Sequence, residues 1–568
     1  MTNMSWIWPI AALSVIAATF SAPIGNNTKI IKIFPEEVQE HWAFFANSRP
    51  GKNPLKSLLH DPEALYAVCR AAEFAANSYR GTHGQRFRLR NILNLSQDSG
   101  QWDYKVQLLL QNTKSQSLQD EDFLIGIRKL SKRVYEAEVG FTRPKRDGDL
   151  EKGANKNTSC DFLSSLANCT ACGYKGICRK GSARVKPWLA FALKTQRELQ
   201  SNASFEKYQM LAAHNAFNDR SDGYGEMDDC RWPPPYHGVC IDFANQEFSF
   251  TDLLDMGVRA LEIDPWWCFG KIRMSHAHDH AYLGCSPWDR EFHYGIQEIA
   301  EWIKRNPKEV VRIYLEDSGS HTKGHDDLIN GPIKDYLGDK VLTPNDTLVY
   351  FNGRWPTVSE MRKLGKTVVV ATGNLYNHKG MYIHKSYWQE MTYNKFLSQA
   401  NCSAMGNNSI PIRVYSDSTK YGPFWNGPWK TGTILNYMDF LKCGVTYPAA
   451  DQVNPHLLAT AVFTWAEGEP STKLQTDTCV LLCGGDKRWH VADCSEKHHF
   501  ACMSSHDVFK WLISAVSGPY NEPICPDGYQ FGLPQTARHS VILQEALGDN
   551  DVWINLTPFI PLLQDISQ

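Results

Sequence analysis

The sequence lacks three features that would each point directly to a function: an excess of one charge, a long apolar run and a low-complexity tract. Its 568 residues include 59 Lys and Arg against 61 Asp and Glu, so the formal net charge is only −2. This balance argues against a nucleic acid or a strongly anionic surface held by bulk electrostatics. Beyond the N-terminus no segment is long and apolar enough to span a bilayer, and the ending FIPLLQDISQ is too short and polar for a lipid-anchor signal. The composition is that of a globular chain with room for a catalytic core and a second module.

Cysteine, by contrast, is frequent. The chain has 16 cysteines, and several lie close together in the sequence. Cys169-x-x-Cys172 has the spacing of half a zinc site, but no second ligand pair of standard spacing follows it. The close groups therefore favour disulfides formed in an oxidising compartment. These groups are Cys169 with Cys172 and Cys178, Cys230 with Cys240, and Cys479 with Cys483.

The N-terminus predicts a secreted, extracellular protein. Residues 7–20 are largely apolar and the small residues Ser21 and Ala22 follow, which favours a signal peptide cleaved near that point; an uncleaved anchor is the alternative. Asn-x-Ser/Thr sequons agree with a secreted glycoprotein. They begin at Asn26, Asn94, Asn157, Asn168, Asn202, Asn345, Asn401, Asn407 and Asn555.

Composition and the rhythm of predicted elements divide the chain into five parts. They are a signal peptide (1–22), an N-terminal region of unknown fold (23–145), a charged and Cys-rich connector (146–200), a barrel (201–465) and a Cys-rich C-terminal region (466–568). In the N-terminal region, Asp61-Pro62 followed by EALYAVCRAAEFAA predicts a helix, residues 86–95 and 103–111 predict strands, and residues 121–137 predict a second helix.

From residue 209 onwards, the pattern of buried strands alternates with the pattern of amphipathic helices. Such alternation predicts an α/β fold with a parallel sheet. Polar residues at the strand ends favour a barrel with its site at the carboxyl rim. The predicted strands are 209–215, 258–264, 271–276, 309–316, 347–351, 366–371 and a late strand in 457–465, and the predicted helices are 186–200, 295–305, 328–337 and 357–364.

The segment GVRALEIDPWW, residues 257–267, carries the strongest chemical signal. Its apolar residues have the length of a strand, and Glu262 and Asp264 interrupt them two residues apart. In a strand this spacing directs both carboxylates to the same side. Two close carboxylates repel unless a proton or a cation lies between them. Because His214 precedes the pair and His276 follows it, the segment predicts a hard cation with an acid–base pair around it.

These residues resemble the X region of phosphatidylinositol-specific phospholipase C, above all its calcium-dependent eukaryotic members. The matching features are the strand end His214-Asn215, the pair Glu262-x-Asp264 before two tryptophans, the strand IRMSH ending in His276 and the strand VVRIYLE ending in Glu316. The resemblance is clear over about 214–316 and fainter to about 372. It implies an irregular TIM-type (β/α)8 barrel with an N-terminal extension and a disulfide-braced C-terminal region.

The resemblance also implies a Ca²⁺ site, with Mg²⁺ as the alternative ion, and two catalytic histidines. The implied metal ligands are Asn215, Glu262, Asp264 and Glu316. His214 is implied as the general base that takes a proton from the inositol 2-hydroxyl. His276 is implied as the group that stabilises the phosphorane and protonates the leaving group, and His278 competes with it for this role.

The function implied is that of a secreted phosphoric diester hydrolase of phospholipase C type. Its partner would be a phosphatidylinositol-like or related phosphodiester, reached through transient contact with a membrane surface, and no nucleic acid. Two alternatives stay open. One is a glycerophosphodiester phosphodiesterase or a sphingomyelinase D-like enzyme with Mg²⁺, because those barrels share the His, Glu-x-Asp, His layout. The other is a secreted glycan- or lipid-binding protein without activity.

The C-terminal region resembles the closing half of a C-type lectin-like domain. The matching residues are Trp465, Gly468-Glu469-Pro470, Cys479, Trp489, Cys494 and Cys502. CPDGYQF and VWINLTP also look lectin-like, but in that family they precede this segment. No Asn-Asp pair follows Trp489, where sugar-binding members carry calcium ligands. A disulfide-braced structural tail is therefore the preferred interpretation.

Overall fold

A computed structural model of the protein describes two compact units of the chain. The first contains an N-terminal sheet and the second contains the barrel and the C-terminal region. The residues described are 28–33, 87–97, 104–112, 118–131, 134–141, 166–172, 177–224, 244–268, 271–276, 289–316, 325–373, 381–397, 402, 410–417, 433–475 and 478–560. The predicted signal peptide, the helix after Asp61, the Cys230–Cys240 pair and His278 lie outside these residues.

The N-terminal sheet has five strands in the order β1-β5-β4-β3-β2. They are β1 Thr28–Ile33, β2 Phe87–Gln97, β3 Tyr104–Asn112, β4 Leu118–Ser131 and β5 Val134–Phe141. The predicted strands over 86–95 and 103–111 are confirmed, whereas the predicted helix over 121–137 is wrong. Residues 135–139, YEAEV, alternate apolar and polar residues with period 2, which is the pattern of the strand β5 formed there.

The connector folds into a short hairpin and a helix. Strands β6 (Ala167–Cys169) and β7 (Ala183–Val185) pair in antiparallel fashion, and the disulfide Cys169–Cys178 closes the loop between them. Helix α1 (Pro187–Leu199) follows, with proline in its first turn as the sequence predicts. A disulfide at this position confirms the interpretation of these cysteines as structural rather than zinc-binding.

The second unit is built on an eight-stranded sheet in which every neighbouring pair of strands is parallel. Its order is β14-β13-β12-β9-β8-β17-β16-β15, which confirms the predicted α/β barrel. The strands in this region are β8 Ala212–Ala213, β9 Ala260–Ile263, β10 Pro265–Cys268, β11 Lys271–Met274, β12 Val311–Leu315, β13 Val368–Thr372, β14 Ile383–Lys385, β15 Gln389–Thr392, β16 Ile412–Tyr415 and β17 Tyr447–Ala450. Strands β10 and β11 form a separate hairpin, so the predicted strand at 271–276 does not belong to the barrel.

Helices cover the outside of this sheet. They are α2 Phe250–Met256, α3 Phe292–Arg305, α4 His325–Pro332, α5 Pro344–Phe351, α6 Val358–Leu364, α7 Tyr393–Leu397, α8 Met438–Leu441 and α9 Pro455–Ala459, and a π-helical turn, Ile333–Leu337, extends α4. Among the described residues no helix is long and apolar enough to cross a membrane. The disulfide Cys402–Cys443 links the segments before β16 and β17.

Two predicted strands of the barrel are wrong. Residues 347–351 belong to helix α5, because Thr343 and Asp346 form a capping box that starts a helix at Pro344. The late strand predicted in 457–465 is also wrong, because the last strand of the barrel sheet is β17, which ends at Ala450. The segment 457–465 begins in helix α9, which Asn454 caps. Both errors concern apolar runs of strand length, where only the residues before the run show that a helix starts.

Aromatic residues fill the seam between the sheet's edge strands, β14 and β15. Tyr387 and Trp388 lie in the short link between these strands and make edge-to-face ring contacts with each other and with Tyr447 of β17. The buried Arg312 guanidinium lies 3.7 Å from the Trp388 ring centre and 3.9 Å from that of Tyr447. These aromatic and cation–π contacts therefore pack the seam between the edge strands β14 and β15.

A buried ion-pair cluster lies at the amino end of β12. Glu309 is bonded to Arg259 (2.9 Å) and Arg197 (3.4 Å). Burial alone would raise the pKa of Glu309, but these two guanidinium groups hold it far below its ordinary value of 4.5. Its ionised form therefore stabilises the fold above about pH 4.5, and this contribution is lost as the pH falls below that value.

We expect Glu309→Gln to lower the free energy of unfolding at pH 7 by about 3 kcal/mol, because two buried guanidinium groups lose their counter-charge. The difference from the wild type should shrink as the pH falls below about 4.5. Urea unfolding from pH 7 to pH 3 measures both effects, with the exposed Glu301→Gln as the control. A difference that does not depend on pH would contradict the prediction.

The C-terminal region is a small sheet packed on the barrel. It contains β18 Cys479–Leu482, β19 Trp489–Ala492, β20 His499–Ser504, β21 Trp511–Ile513, β22 Tyr529–Phe531, helix α10 Ala537–Leu547 and β23 Val552–Trp553. The order β19-β18-β23-β20-β21, with β22 paired to β20, joins the two lectin-like segments that the sequence presents in the reverse order. Trp465 attaches the region to helix α1, because it packs edge-to-face against Trp489 and donates a hydrogen bond to Thr195 (3.0 Å).

The disulfides of this region differ in one respect from the sequence prediction. Cys479 pairs with Cys494 and Cys502 pairs with Cys525, so disulfides brace the tail as predicted. The proposed grouping of Cys479 with Cys483 is wrong, since Cys483 is a free thiol. Residue 483 follows the last residue of β18, whereas Cys494 lies just past the end of the paired strand β19, beside Cys479.

Candidate functional site

Three carboxylates meet at the carboxyl ends of neighbouring barrel strands. Glu262 lies in β9, Asp264 follows that strand, and Glu316 follows β12. The parallel pairing sets Tyr314 opposite Glu262, and the Glu316 amide donates to the Ile263 carbonyl (3.0 Å). One carboxylate oxygen from each acidic residue lies within 4.8 Å of the others. The predicted convergence of Glu262, Asp264 and Glu316 is therefore present.

The electrostatics of this carboxylate cluster show an excess of negative charge. Burial and the charges of Glu316 and Glu262 raise the pKa of Asp264 well above its ordinary value. Glu316 is at the solvent-facing side, yet desolvation by surrounding protein and the charge of Glu262 raise its pKa to about 8. Burial would also raise the pKa of Glu262, but Arg413 and His214 lower it. The cluster thus contains three carboxyl groups, whereas the guanidinium of Arg413, which is bonded to Glu262, balances only one negative charge.

Asn215 lies beside the cluster and adopts a left-handed backbone conformation with φ 42°. The following amide, of Ala216, donates to the Glu262 carbonyl (3.0 Å), which fixes the turn after β8 against β9. The Asn215 Nδ2 group donates to Asn245 (3.4 Å). This bond leaves the Asn215 Oδ1 atom as an available oxygen.

The donor set fits a hard cation. Three of the buried oxygen atoms that lack a hydrogen-bond partner belong to this site: Oδ1 of Asn215, Oε1 of Glu262 and Oδ1 of Asp264. Buried polar atoms are rarely left without a partner in proteins. Carboxylate and amide oxygens are also the ligands that Ca²⁺ and Mg²⁺ prefer. The four sequence-predicted ligands therefore have the chemistry that such an ion requires.

His214 lies at the end of β8 and forms a buried pair with Asp451, which follows β17. Its Nδ1 atom is 2.8 Å from Asp451 Oδ1, and its ring stacks on Tyr415 with 5.5 Å between the ring centres. Burial alone would lower the pKa of His214, but Asp451 and Glu262 raise it to about 10. The pair orients the imidazole so that Nε2 is the nitrogen left for other contacts.

Four site residues on later strands were missed by the sequence interpretation. Arg413 of β16 is bonded to Glu262 and Glu390, and Tyr415 follows it two residues later on the same side of the strand. Asp417 and Asp451 each bring a carboxylate oxygen within 4.8 Å of a His214 ring nitrogen. The alternation Arg-x-Tyr-x-Asp in 413–417 is the one available signal, and it could have marked this strand end as part of the rim.

His276 is half-buried and follows the hairpin strand β11. The amide of the preceding Ser275 donates to the Asp264 carbonyl (3.0 Å), so the backbone before His276 is fixed against the carboxylate cluster. Arg354 is exposed and paired with Glu360 (2.9 Å), so it does not contact the rim site. That arginine therefore stabilises the start of α6 through the capping residue Glu360.

Fold and site together define a parallel α/β-barrel protein with a carboxylate cluster and a His–Asp pair at the carboxyl rim. Residues 235–405 match the family model described as PI-PLC X 1. The barrel is thus PI-PLC X-like, as the motif residues predict. At a coarse level, this assignment supports a phosphodiesterase of phospholipase C type.

Similar proteins occur in bacteria, plants and yeasts. An uncharacterised protein of Mycobacterium tuberculosis is 22% identical over 415 residues, which cover 66% of this chain and 80% of that protein. A PI-PLC X domain-containing protein of Arabidopsis thaliana is 27% identical over 225 residues, covering 39% and 49% of the two chains. The solved phosphatidylinositol-specific phospholipase C from Listeria monocytogenes has 14% identity and a TM-score of 0.32, covering 47% of this chain and 97% of that one.

Proposed function

We propose that the protein is a secreted phosphoric diester hydrolase of phospholipase C type that cleaves a phosphatidylinositol-like lipid. The observation that carries this proposal is the buried His214–Asp451 pair beside the convergent carboxylates of Glu262, Asp264 and Glu316. A phosphodiester needs an activated nucleophile and compensation of its negative charge. The rim supplies groups suited to both tasks.

His214 is the proposed general base, and it would act in the neutral form that a cation beside Glu262 favours. Asp451 holds its Nδ1 atom, so Nε2 would accept the proton of the inositol 2-hydroxyl as that oxygen attacks phosphorus. The Asp451 carboxylate would stabilise the imidazolium that forms. His276 is the proposed acid that returns a proton to the diacylglycerol oxygen as the phosphorus–oxygen bond breaks. Cyclic inositol phosphate and diacylglycerol would be the first products, and water could then open the ring.

Asn215, Glu262, Asp264 and Glu316 would hold a Ca²⁺ ion, with Mg²⁺ as the alternative. Such an ion supplies charge compensation and lowers the pKa of a bound hydroxyl. The partnerless oxygens of the first three residues support this assignment. Arg413 orients Glu262 through its buried ion pair and adds fixed positive charge at the rim. A cation beside Glu262 would also offset part of the negative charge that raises the His214 pKa.

Secretion is part of the proposal. Disulfides link Cys402 with Cys443, Cys479 with Cys494 and Cys502 with Cys525, and such bonds persist mainly in oxidising compartments. The sequon residues Asn168, Asn202 and Asn345 are exposed, as glycosylation requires. Membrane contact would be transient, at the surface that presents the lipid.

Phosphorus NMR of phosphatidylinositol vesicles with the purified protein tests the reaction. We expect a cyclic phosphate signal in Ca²⁺ that disappears after chelation and reappears when Ca²⁺ is restored. Monoester without any cyclic species, or turnover with Mg²⁺ alone, would assign the protein to the diesterase alternative. No turnover of any phosphodiester by a protein that binds Ca²⁺ would favour the binding-protein alternative.

Asp264→Asn should weaken Ca²⁺ binding at least about 100-fold, because the cluster loses one of its converging charges. The exposed Asp335→Asn is the matched control and should bind as the wild type does. Calorimetric titration measures the affinity, and the rise in thermal stability with added Ca²⁺ checks it independently. Equal affinity in the two variants would show that Ca²⁺ does not bind through this carboxylate.

A further inference from the structure

The β18–β19 hairpin of the C-terminal region gathers three different metal-binding groups. One donor atom each from Cys483, Asp486 and His490 lies within 4.8 Å of the others. Asp486 Oδ2 is 2.8 Å from His490 Nε2, and the Cys483 Sγ accepts a hydrogen bond from the Gly485 amide (3.4 Å). A thiol, a carboxylate and an imidazole thus converge on one point at the end of a hairpin.

The hairpin backbone preorganises these side chains. Cys479 to Leu482 pair with Ala492 to Trp489, and the disulfide Cys479–Cys494 closes the open end. At the turn, the Cys483 amide donates to the Arg488 carbonyl (2.9 Å) and Lys487 adopts a left-handed conformation with φ 60°. A rigid turn reduces the conformational entropy that a ligand would otherwise have to remove.

The second nitrogen of His490 faces another carboxylate. Its Nδ1 atom lies 3.7 Å from Glu469 Oε1, on the opposite side of the ring from Asp486. Glu469 is itself fixed, because the amides of Ser471 (2.8 Å) and Val491 (3.3 Å) donate to its other oxygen. A carboxylate behind an imidazole sets the tautomer and orientation of metal-binding histidines. This contact therefore directs Nε2 towards Cys483 and Asp486.

We propose that Cys483, Asp486 and His490 bind a Zn²⁺ ion, with Glu469 as a positioning residue for His490. Thiolate, imidazole and carboxylate are the donors that Zn²⁺ takes in proteins. Binding releases the Cys483 thiol proton to solvent as the sulfur–zinc bond forms. The free thiol is available because Cys479 pairs with Cys494.

The site has room for a fourth ligand. The side chains of His490 and Asp486 are 33% and 46% exposed, so solvent or a ligand from another molecule reaches the ion. Three protein ligands with an open position suit exchangeable zinc rather than a closed structural site. The site lies in the C-terminal region and does not depend on the activity of the barrel.

Cobalt substitution of the purified full-length protein tests the proposal. The protein is first treated with a mild reductant that leaves the disulfides intact, and Co²⁺ is then added. We expect Co²⁺ to produce a thiolate-to-cobalt charge-transfer band, and Zn²⁺ to abolish it at one equivalent. Cys483→Ser should remove the band, which the carboxylate cluster of the barrel cannot produce. Zn²⁺ should also slow alkylation of Cys483 at least about 10-fold, because a bound thiolate is protected from the reagent.

Substitutions distinguish the residues proposed to bind Zn²⁺ from residues that only lie near them. Asp486→Asn and His490→Gln should each weaken Zn²⁺ binding about 100-fold or more, and Glu469→Gln about 10-fold. His498→Gln is the matched control, since His498 forms a similar 2.9 Å contact with Glu496 in the same region. Disulfide content and near-ultraviolet circular dichroism verify that each variant is folded. Absence of the charge-transfer band in the folded wild type, or a band unchanged in Cys483→Ser, would overturn the proposal.

Discussion

Replacing His214 with alanine will lower kcat/KM for phosphodiester cleavage by about 10²- to 10⁴-fold. The variant removes the imidazole that Asp451 orients beside the carboxylate cluster, so the attacking hydroxyl would lose the proton acceptor proposed for it. The rate of appearance of cyclic phosphate measures the effect. The exposed His456→Ala on α9 is the control and should retain wild-type kinetics.

Asp451→Asn separates the two functions of this pair. The imidazole remains, but the amide no longer stabilises its charged form, so the rate should fall about 10²-fold or more while Ca²⁺ affinity is retained. A His214→Ala variant with wild-type turnover would exclude His214 as the base. Turnover lost equally in His456→Ala would point to a general loss of folding.

Replacing Arg290 with methionine will lower the free energy of unfolding by about 3–5 kcal/mol, because it removes the guanidinium that balances two buried carboxylates. The Arg290 guanidinium is buried and bonded to Asp222 (2.6 Å) and Glu298 (2.5 Å), and it also donates to the Tyr294 carbonyl (2.8 Å). These bonds join the segment after β8 to helix α3. Chemical denaturation followed by tryptophan fluorescence measures the change.

The matched control for this variant is Arg354→Met. Arg354 forms a bidentate pair with Glu360, but its side chain is 55% exposed, so its removal should change the free energy of unfolding far less than removal of Arg290 does. Equal destabilisation by the two substitutions would contradict the argument from burial. A double variant, Arg290→Met with Glu298→Gln, should recover part of the stability, since it also removes one of the two buried carboxylate charges that Arg290 balances.

A local pattern predicts Glu262 and Asp264 as rim residues, whereas the resemblance to the PI-PLC X region implies Asn215 and Glu316. Glu262 and Asp264 point to one side because side chains in a strand alternate, and the structure brings Glu316 beside them through the parallel pairing of β9 and β12. Errors arose where local patterns were ambiguous. The run 347–351 fits a strand or a helix equally, and the capping box at Thr343 and Asp346 decides for the helix.

The contacts of His214 with Asp451 and of Glu262 with Arg413 could not be predicted from the sequence, because the partners are far apart in the chain. Asp451 lies 237 residues from His214, and Arg413 lies 151 residues from Glu262. Neither residue belongs to a motif, and an arginine or aspartate in an isolated strand is more commonly a surface residue. The barrel makes them neighbours because β8 lies between β9 and β17, and β17 pairs with β16.

The sequence by itself determined the α/β rhythm, the PI-PLC X-like motifs and the identity of the acidic cluster. The alternation of strands and helices and the Glu262–Asp264 pair depend on side-chain periodicity along short segments, which local sterics and hydrogen bonding impose. The place of Glu316 in the cluster is implied by the resemblance of its strand to the PI-PLC X region. Only the tertiary structure decided the partner of His214, the counter-ion of Glu262 and the pairing of Cys479 with Cys494 rather than Cys483. Those contacts join residues whose separation in the chain carries no information about distance, because strand order in the sheets places them together.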